Sequence, residues 1–127
     1  METITLEELT ATIPASGYLS AAVKLGGKKL VGIKPPTGTG AFEADTASLL
    51  FHVSTDDTTF SILRDVDGTA RYVTVAEDNT YGHMDLPPAE HANYTSVKIG
   101  AYQSDYSTTV TQAANRTIKL IVEKVTG

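Results

Sequence analysis

Asp65, Asp67 and Gly68 begin a pattern that is typical of a calcium-binding loop. A complete loop also needs an oxygen donor at its fifth position and a bidentate glutamate at its twelfth. Those two positions are occupied by Thr69 and Ala76, so the glutamate that closes the coordination shell is missing. The segment is therefore interpreted as a turn between two strands.

Three histidines raise the question of a zinc site, which requires three or four convergent ligands. His52 lies among apolar residues in a predicted strand, where a hydrogen-bonded packing role is expected. His83 and His91 are close to Asp85 and Glu90 in a predicted loop. We expect surface or interface roles for these two residues and no metal or cofactor. Convergence of the loop residues on zinc remains the alternative.

Two further patterns bear on catalysis. Acid–base chemistry needs two carboxylates that face one cleft, but the neighbours Asp56-Asp57 and Glu77-Asp78 would point to opposite faces of a strand or into solvent at a turn. The segment 34–40 is rich in glycine and contains a lysine, but the lysine comes first and no helix follows, unlike a phosphate-binding loop. No catalytic site is predicted, and the chain is interpreted as a non-enzyme.

The elements that would position these residues are strands, because apolar and polar residues alternate along most of the chain. The clearest strand is 46–54, with Ala47, Leu49, Phe51 and Val53 on one face and Leu50 on the other. Gly26-Gly27 predicts a two-residue turn between a strand at 19–25 and a partner strand at 28–34. Further strands are predicted at 4–6, 60–63, 72–75, 94–102 and 118–125, with long loops at 76–92 and 103–116.

About eight short strands joined by turns and two long connections predict an all-β protein. Its expected architecture is an antiparallel β-sandwich of the jelly-roll type. The 127 residues, 41% of them hydrophobic, suit one domain over 1–127. Residues 1–15 are a candidate extended N-terminal arm that we expect to contact a partner. There is no cysteine, so packing or association must provide stability without disulfides.

The charge balance and the amino terminus exclude some functions. A net charge of −5 argues against nucleic-acid binding through phosphate contacts. The first residues lack the basic and apolar regions of a signal peptide, and no apolar run is long enough to cross a membrane. We therefore expect synthesis in a cytoplasm, with no nucleic-acid or membrane partner.

Candidate partner contacts are the large side chains in or beside the two long loops and the lysines around the glycine turn. Tyrosine is favoured at interfaces because it buries much area with little loss of entropy, and a lysine cluster can bind an acidic surface. The alternatives are loops packed on their own sandwich and a solvated lysine-rich edge. The candidate residues are Tyr81, Met84, Leu86, Tyr94, Tyr102, Tyr106, Lys24, Lys28 and Lys29.

Segments of the chain resemble small virion proteins of tailed bacteriophages. The resemblance lies in residues 51–60 (FHVSTDDTTF) and 63–68 (LRDVDG), and residues 94–99 and 113–120 are similar to the closing strands of such proteins. It implies a jelly-roll capsid decoration (cement) protein, often a homotrimer, which binds the major capsid protein on the virion surface and stabilises the shell. A tail or fibre component is the other role that the resemblance implies.

A carbohydrate-binding β-sandwich is the alternative from a different class. Such modules bind sugars through exposed aromatic residues and calcium. The chain has six tyrosines and three phenylalanines but no tryptophan, and its calcium pattern is incomplete. These features favour the structural interpretation over sugar binding.

Overall fold

The computed structural model describes residues 3–36, 42–64, 67–75, 84–85 and 94–126. These residues form nine strands and no helix. The strands are β1 (Thr3–Ile13), β2 (Val23–Lys24), β3 (Lys29–Lys34), β4 (Ser48–Ser54), β5 (Ser61–Ile62), β6 (Tyr72–Thr74), β7 (Met84–Asp85), β8 (Ser96–Tyr102) and β9 (Arg116–Thr126).

The strands form two antiparallel sheets. The first sheet has the order β1-β9-β3-β7, and the second has the order β2-β8-β4, with β5 and β6 both paired to the far side of β4. Successive strands from β1 to β4, and again from β7 to β9, alternate between the two sheets. This winding of the chain through a four-stranded and a five-stranded sheet is that of a jelly roll. The prediction of an antiparallel β-sandwich is confirmed.

The main core lies between the two sheets and is filled by alternate residues of their strands. The predicted alternation of β4 is confirmed, since Leu49 and Phe51 enter this core while Leu50 packs in a second cluster on the opposite face. The strand is therefore covered on both faces. From the first sheet, β9 contributes Ile118, Leu120 and Val122, all completely buried.

The glycine turn forms as predicted, but its role differs from the expected hairpin. Gly26 and Gly27 have φ angles of 61° and 80°, and the Lys28 N–H donates to the Leu25 carbonyl at 3.1 Å. However, β2 pairs with β8, whereas β3 pairs with β9 and β7. The prediction that these strands are partners was wrong. A tight turn requires only that the chain reverses, so it can equally carry the chain from one sheet to the other.

The edge of the second sheet beside β8 is interrupted. A continuous strand was predicted over 19–25, but only the two residues of β2 pair regularly, and Leu19 makes a single bridge to Gly100. If the register of the Leu19–Gly100 bridge continued, Val23 would lie opposite Ser96, but it lies opposite Val97. The two contacts therefore differ in register by one residue. This edge is thus broken into two short contacts.

The other edge of the second sheet is also broken. His52 lies opposite Ile62, whereas Leu50, two residues earlier, lies opposite Tyr72. The pairing therefore advances by two residues along β4 but by ten residues along the neighbouring segment, from Ile62 to Tyr72. Between β5 and β6, Arg64 and Ala70 form an isolated bridge.

The amino-terminal segment is a long strand. The predicted strand covered only residues 4–6 within an arm at 1–15, but β1 pairs with β9 along all eleven of its residues. In the sequence, the adjacent charges of Glu7 and Glu8 interrupt the alternation of apolar and polar residues. Further along the same strand, Ala11 and Ile13 lie in the core. The predicted loop 76–92 contains β7, which pairs with Gly32–Ile33. The rest of that loop, with His83 and His91, lies outside the described residues.

Candidate partner-contact surfaces

The outer face of the second sheet carries its own apolar cluster. Leu50 and Tyr102 are 0% and 4% exposed, and they pack with Ala70. Tyr18 and Tyr106 lie against this cluster and are partly buried. Tyr102, which was expected to contact a partner, is therefore buried within its own chain. We call the three tyrosines of this group, Tyr18, Tyr102 and Tyr106, the tyrosine cover.

Tyr102 is held by polar and aromatic neighbours. Its hydroxyl lies 2.9 Å from Nε2 of His52, and the ring of Tyr18 meets it edge-on at 5.9 Å between centroids. Burial, with a smaller contribution from Lys98, lowers the pKa of His52, and burial raises the pKa of Tyr102. The histidine is thus kept neutral near pH 7, and its predicted hydrogen-bonded packing role is confirmed.

Tyr106 is placed by a tight turn at the end of β8. Hydrogen bonds from the Thr108 hydroxyl and from the N–H groups of Thr108 and Ser107 lower the pKa of Asp105 to about 2. The turn holds Tyr106 at φ 58°, an uncommon conformation for a bulky residue. Its ring stacks on Tyr72 at 4.2 Å between centroids. The second predicted loop therefore packs back on the sandwich.

The predicted residues Lys24, Lys28 and Tyr94 come together at one end of the sandwich. They line a cavity of about 370 Å³ between the glycine turn, the turn after β4 and the residues before β8; its other lining residues are Gly26, Gly27, Asp57 and Thr95. Lys28 is paired with a carboxylate of its own chain, since its Nζ lies 2.5 Å from Glu7 Oε2. Lys29 is not part of the lining, and its register partner on β9 is Glu123.

The carboxylates Asp56 and Asp57 organise the turn at this end. Asp56 accepts hydrogen bonds from the N–H groups of Thr59 and Thr58 at 2.8 and 2.9 Å and from the Ser54 hydroxyl at 2.8 Å, which lower its pKa to about 2. Asp57 accepts from the Ser96 hydroxyl, which lowers its pKa. Both groups are bound by the chain itself and serve the turn.

The sequence interpretation missed a buried polar cluster at the opposite end. Gln112 is 1% exposed, and its amide donates to Thr46 and to the Val110 carbonyl, each at 3.1 Å. Its Oε1 accepts from the Glu43 N–H at 2.9 Å and from Arg116 at 3.2 Å. The full hydrogen-bonding capacity of the amide is used. The cluster therefore joins the segments before β4 and β9 and offers this amide to no ligand.

Among the described residues, the most exposed large apolar side chains lie on β1. Ile4 and Leu6 are 61% and 63% exposed and point to the outer face of the first sheet. The pairing of β3 with β9 ends at Glu123, so residues 124–126 pair with β1 alone. The first residues of β1 therefore belong to a two-stranded extension of the sheet. No pattern singled these two residues out, although the segment that contains them was expected to contact a partner.

Other predicted features have a more limited outcome. Met84 lies in β7, opposite Ile33, while Tyr81 and Leu86 lie outside the described residues. Within the described ranges, no three His, Asp or Glu side chains form a group that could hold a metal ion. Nor does that part of the chain contain a helix of the length and hydropathy needed to cross a membrane.

Comparisons with protein-family models, with curated proteins and with solved structures found no match for this chain. The jelly-roll assignment therefore rests on the strand order and pairing of the chain itself.

Proposed function

We propose that this chain is a non-enzymatic structural protein of a virion, a capsid decoration protein that binds the outside of the shell and stabilises it. The resemblance of residues 51–68 to tailed-phage virion proteins supports this role. The observation that carries it is the pair Ile4 and Leu6, which leaves an apolar contact surface on an otherwise well-packed jelly roll.

The physical basis of the role is a rigid body with an uncovered contact strand. The tyrosine cover and the Gln112 cluster hold the loops of the sandwich in place, so contact with a shell requires little ordering of the described chain. Exposed apolar side chains gain free energy when a neighbour removes them from water. The major capsid protein is the proposed partner. Self-association accompanies this role, and the resemblance implies three copies around a symmetry axis of the shell.

Binding to empty shells tests the proposal. The purified chain is mixed with shells assembled from the major capsid protein of the same genome, and the shells are sedimented. We expect saturable co-sedimentation and a higher temperature of shell disruption, measured by light scattering. A chain that stays in the supernatant and leaves the disruption temperature unchanged would overturn the proposal. Co-purification with tails instead of heads would favour the tail or fibre role.

One observation favours the carbohydrate-binding alternative. Tyr72 is 40% exposed and stacks on Tyr106, so its outer ring face is available to a sugar. A glycan array probed with the intact chain and with Tyr72→Ala tests this role. Binding that disappears in the variant would favour sugar recognition, and an array without signal would remove this candidate.

A further inference from the structure

The edges of the two sheets differ in length. Every sheet edge is open to pairing because it presents N–H and C=O groups that have no neighbouring strand. Three of the edges are short in the part of the chain that the structure describes: β7 and β2 have two residues each, and the edge formed by β5 and β6 is interrupted. In contrast, β1 is an unbroken edge of eleven residues.

Three of the devices that protect natural sheet edges are missing from β1. Natural edge strands carry lysine, proline or a β-bulge that prevents pairing with another chain. The sequence TITLEELTATI contains neither lysine nor proline, and its register with β9 has no shift. Its charges are Glu7 and Glu8, which are paired with Lys28 and Lys34 of the same chain at 2.5 and 3.3 Å.

We propose that β1 pairs with β1 of a second copy of this chain, antiparallel, about a two-fold axis at Leu6. This register sets Leu6 opposite the second copy's Leu6, Thr5 opposite Glu7, and Ile4 opposite Glu8. Ile4 and Leu6 of both copies then form one patch of four aliphatic side chains on the outer face. The first sheets of the two copies, with four strands each, become one continuous sheet.

Charge excludes the registers that are centred on either glutamate of β1. A two-fold axis perpendicular to the sheet leaves each side chain on its own face, so outward side chains pair with outward side chains. One residue of β1 must therefore lie opposite its own copy, and that residue defines the register. An axis at Glu7 or Glu8 would set that glutamate opposite itself. Like charges directly opposite each other are destabilising. The Leu6 register sets no glutamate of β1 opposite another glutamate, and it places Leu6, the most exposed of the large apolar residues that the structure describes, at the axis.

This contact uses Ile4 and Leu6, the residues on which the proposed function also rests, but its test does not require a shell. A two-fold contact between edges produces a dimer, whereas the homotrimer implied by the resemblance needs a different contact. The mass of the chain in solution separates the two. The test therefore succeeds or fails without regard to co-sedimentation with capsids.

Light scattering after size exclusion, over a range of concentrations, tests the contact. We expect the unmodified chain to form a dimer and Leu6→Lys to raise its dissociation constant at least about tenfold, because the lysine brings two charges together at the axis. The control is Thr74→Lys, an exposed position on β6 at an edge of the second sheet, which should leave the dimer intact. Circular dichroism verifies that both variants keep the β fold.

Amide hydrogen exchange gives a second measure. In the dimer, outward N–H groups between Ile4 and Glu8 should exchange more slowly as the protein concentration rises, and Leu6→Lys should abolish this dependence. A chain that remains monomeric at high concentration would overturn the inference. A trimer, or a dimer whose dissociation constant is the same in Leu6→Lys, would overturn it as well, while leaving the proposed decoration role to the capsid assay.

Discussion

Two apolar patches lie outside the main core, and they differ in how far their side chains are exposed. On the second sheet, Leu50 and Tyr102 are 0% and 4% exposed, and Tyr18 and Tyr106 pack against them. On the first sheet, Ile4 and Leu6 are 61% and 63% exposed. Both patches face outward from the same sandwich, so their sheet position does not explain the difference. The difference lies in the segments that fold over the first patch.

The cover of the second sheet depends on specific local structure. Asp105 binds the turn that places Tyr106, and a bridge at Leu19 keeps the segment before β2 beside Gly100. Tyr102 and Tyr106, two of the tyrosines that were expected at an interface, therefore pack within the fold. The patch on β1 has no such cover among the described residues. An apolar surface that the chain does not cover is the better indicator of a contact with another chain.

Truncation of one leucine in each patch should show the largest difference. Leu50→Ala removes a completely buried side chain and should lower the free energy of unfolding by about 2–5 kcal/mol. Leu6→Ala should change it by no more than about 0.5 kcal/mol in the monomer, because the side chain is already in water. Urea unfolding at a concentration where the chain is monomeric measures both. Equal losses would show that Leu6 is packed and would break the comparison.

A methyl group at Gly100 tests how tightly the tyrosine cover is packed. A Cβ there would lie 2.8 Å from Cε1 of Tyr102 and 3.3 Å from Cδ1 of Leu19. Gly100→Ala should cost about 1–3 kcal/mol through overpacking, which exceeds the gain of about 0.4–1 kcal/mol from a stiffer unfolded chain. Thr74→Ala, at an exposed strand position, is the control. Unchanged urea unfolding of Gly100→Ala would indicate a loose cover.

The smallest expected effect is a dependence of the cover on pH. The pKa of Asp105 is about 2, below its ordinary value of 3.8, so its charged form stabilises the folded state. This contribution is complete above pH 4 and is lost as the pH falls through 2. Asp105→Asn, which keeps an acceptor but has no charge, should make the urea midpoint less dependent on pH between 4 and 2. Identical pH profiles would show that Asp105 titrates alike in both states.

Sequence patterns predicted some elements well because their physical causes are local. The alternation in β4 and the glycine turn are visible in short windows, since strand faces repeat every two residues and positive φ favours glycine. The length of β1 was missed because Glu7-Glu8 interrupts the alternation. The structure explains the interruption, since the ion pairs with Lys28 and Lys34 accommodate these charges on the strand.

The candidate surface was predicted only in outline. Residues 1–15 were expected to contact a partner, and this segment contains Ile4 and Leu6. The individual residues selected from the sequence were tyrosines and lysines, chosen by residue type. Exposure depends on what packs over a side chain, and Tyr102 and Tyr106 are covered by contacts between distant segments. Residue type alone therefore did not reveal that Tyr102 and Tyr106 pack within their own chain.

The sequence by itself determined that this protein is built from antiparallel strands, where several of them run, and which face of β4 enters the main core. Alternation and turn residues carry this information locally. Only the tertiary structure decided that the glycine turn joins two sheets, that the tyrosines cover the second sheet, and that β1 is the one long unbroken edge among the described strands. Those outcomes depend on which distant strands become neighbours, because pairing and burial are properties of the whole fold.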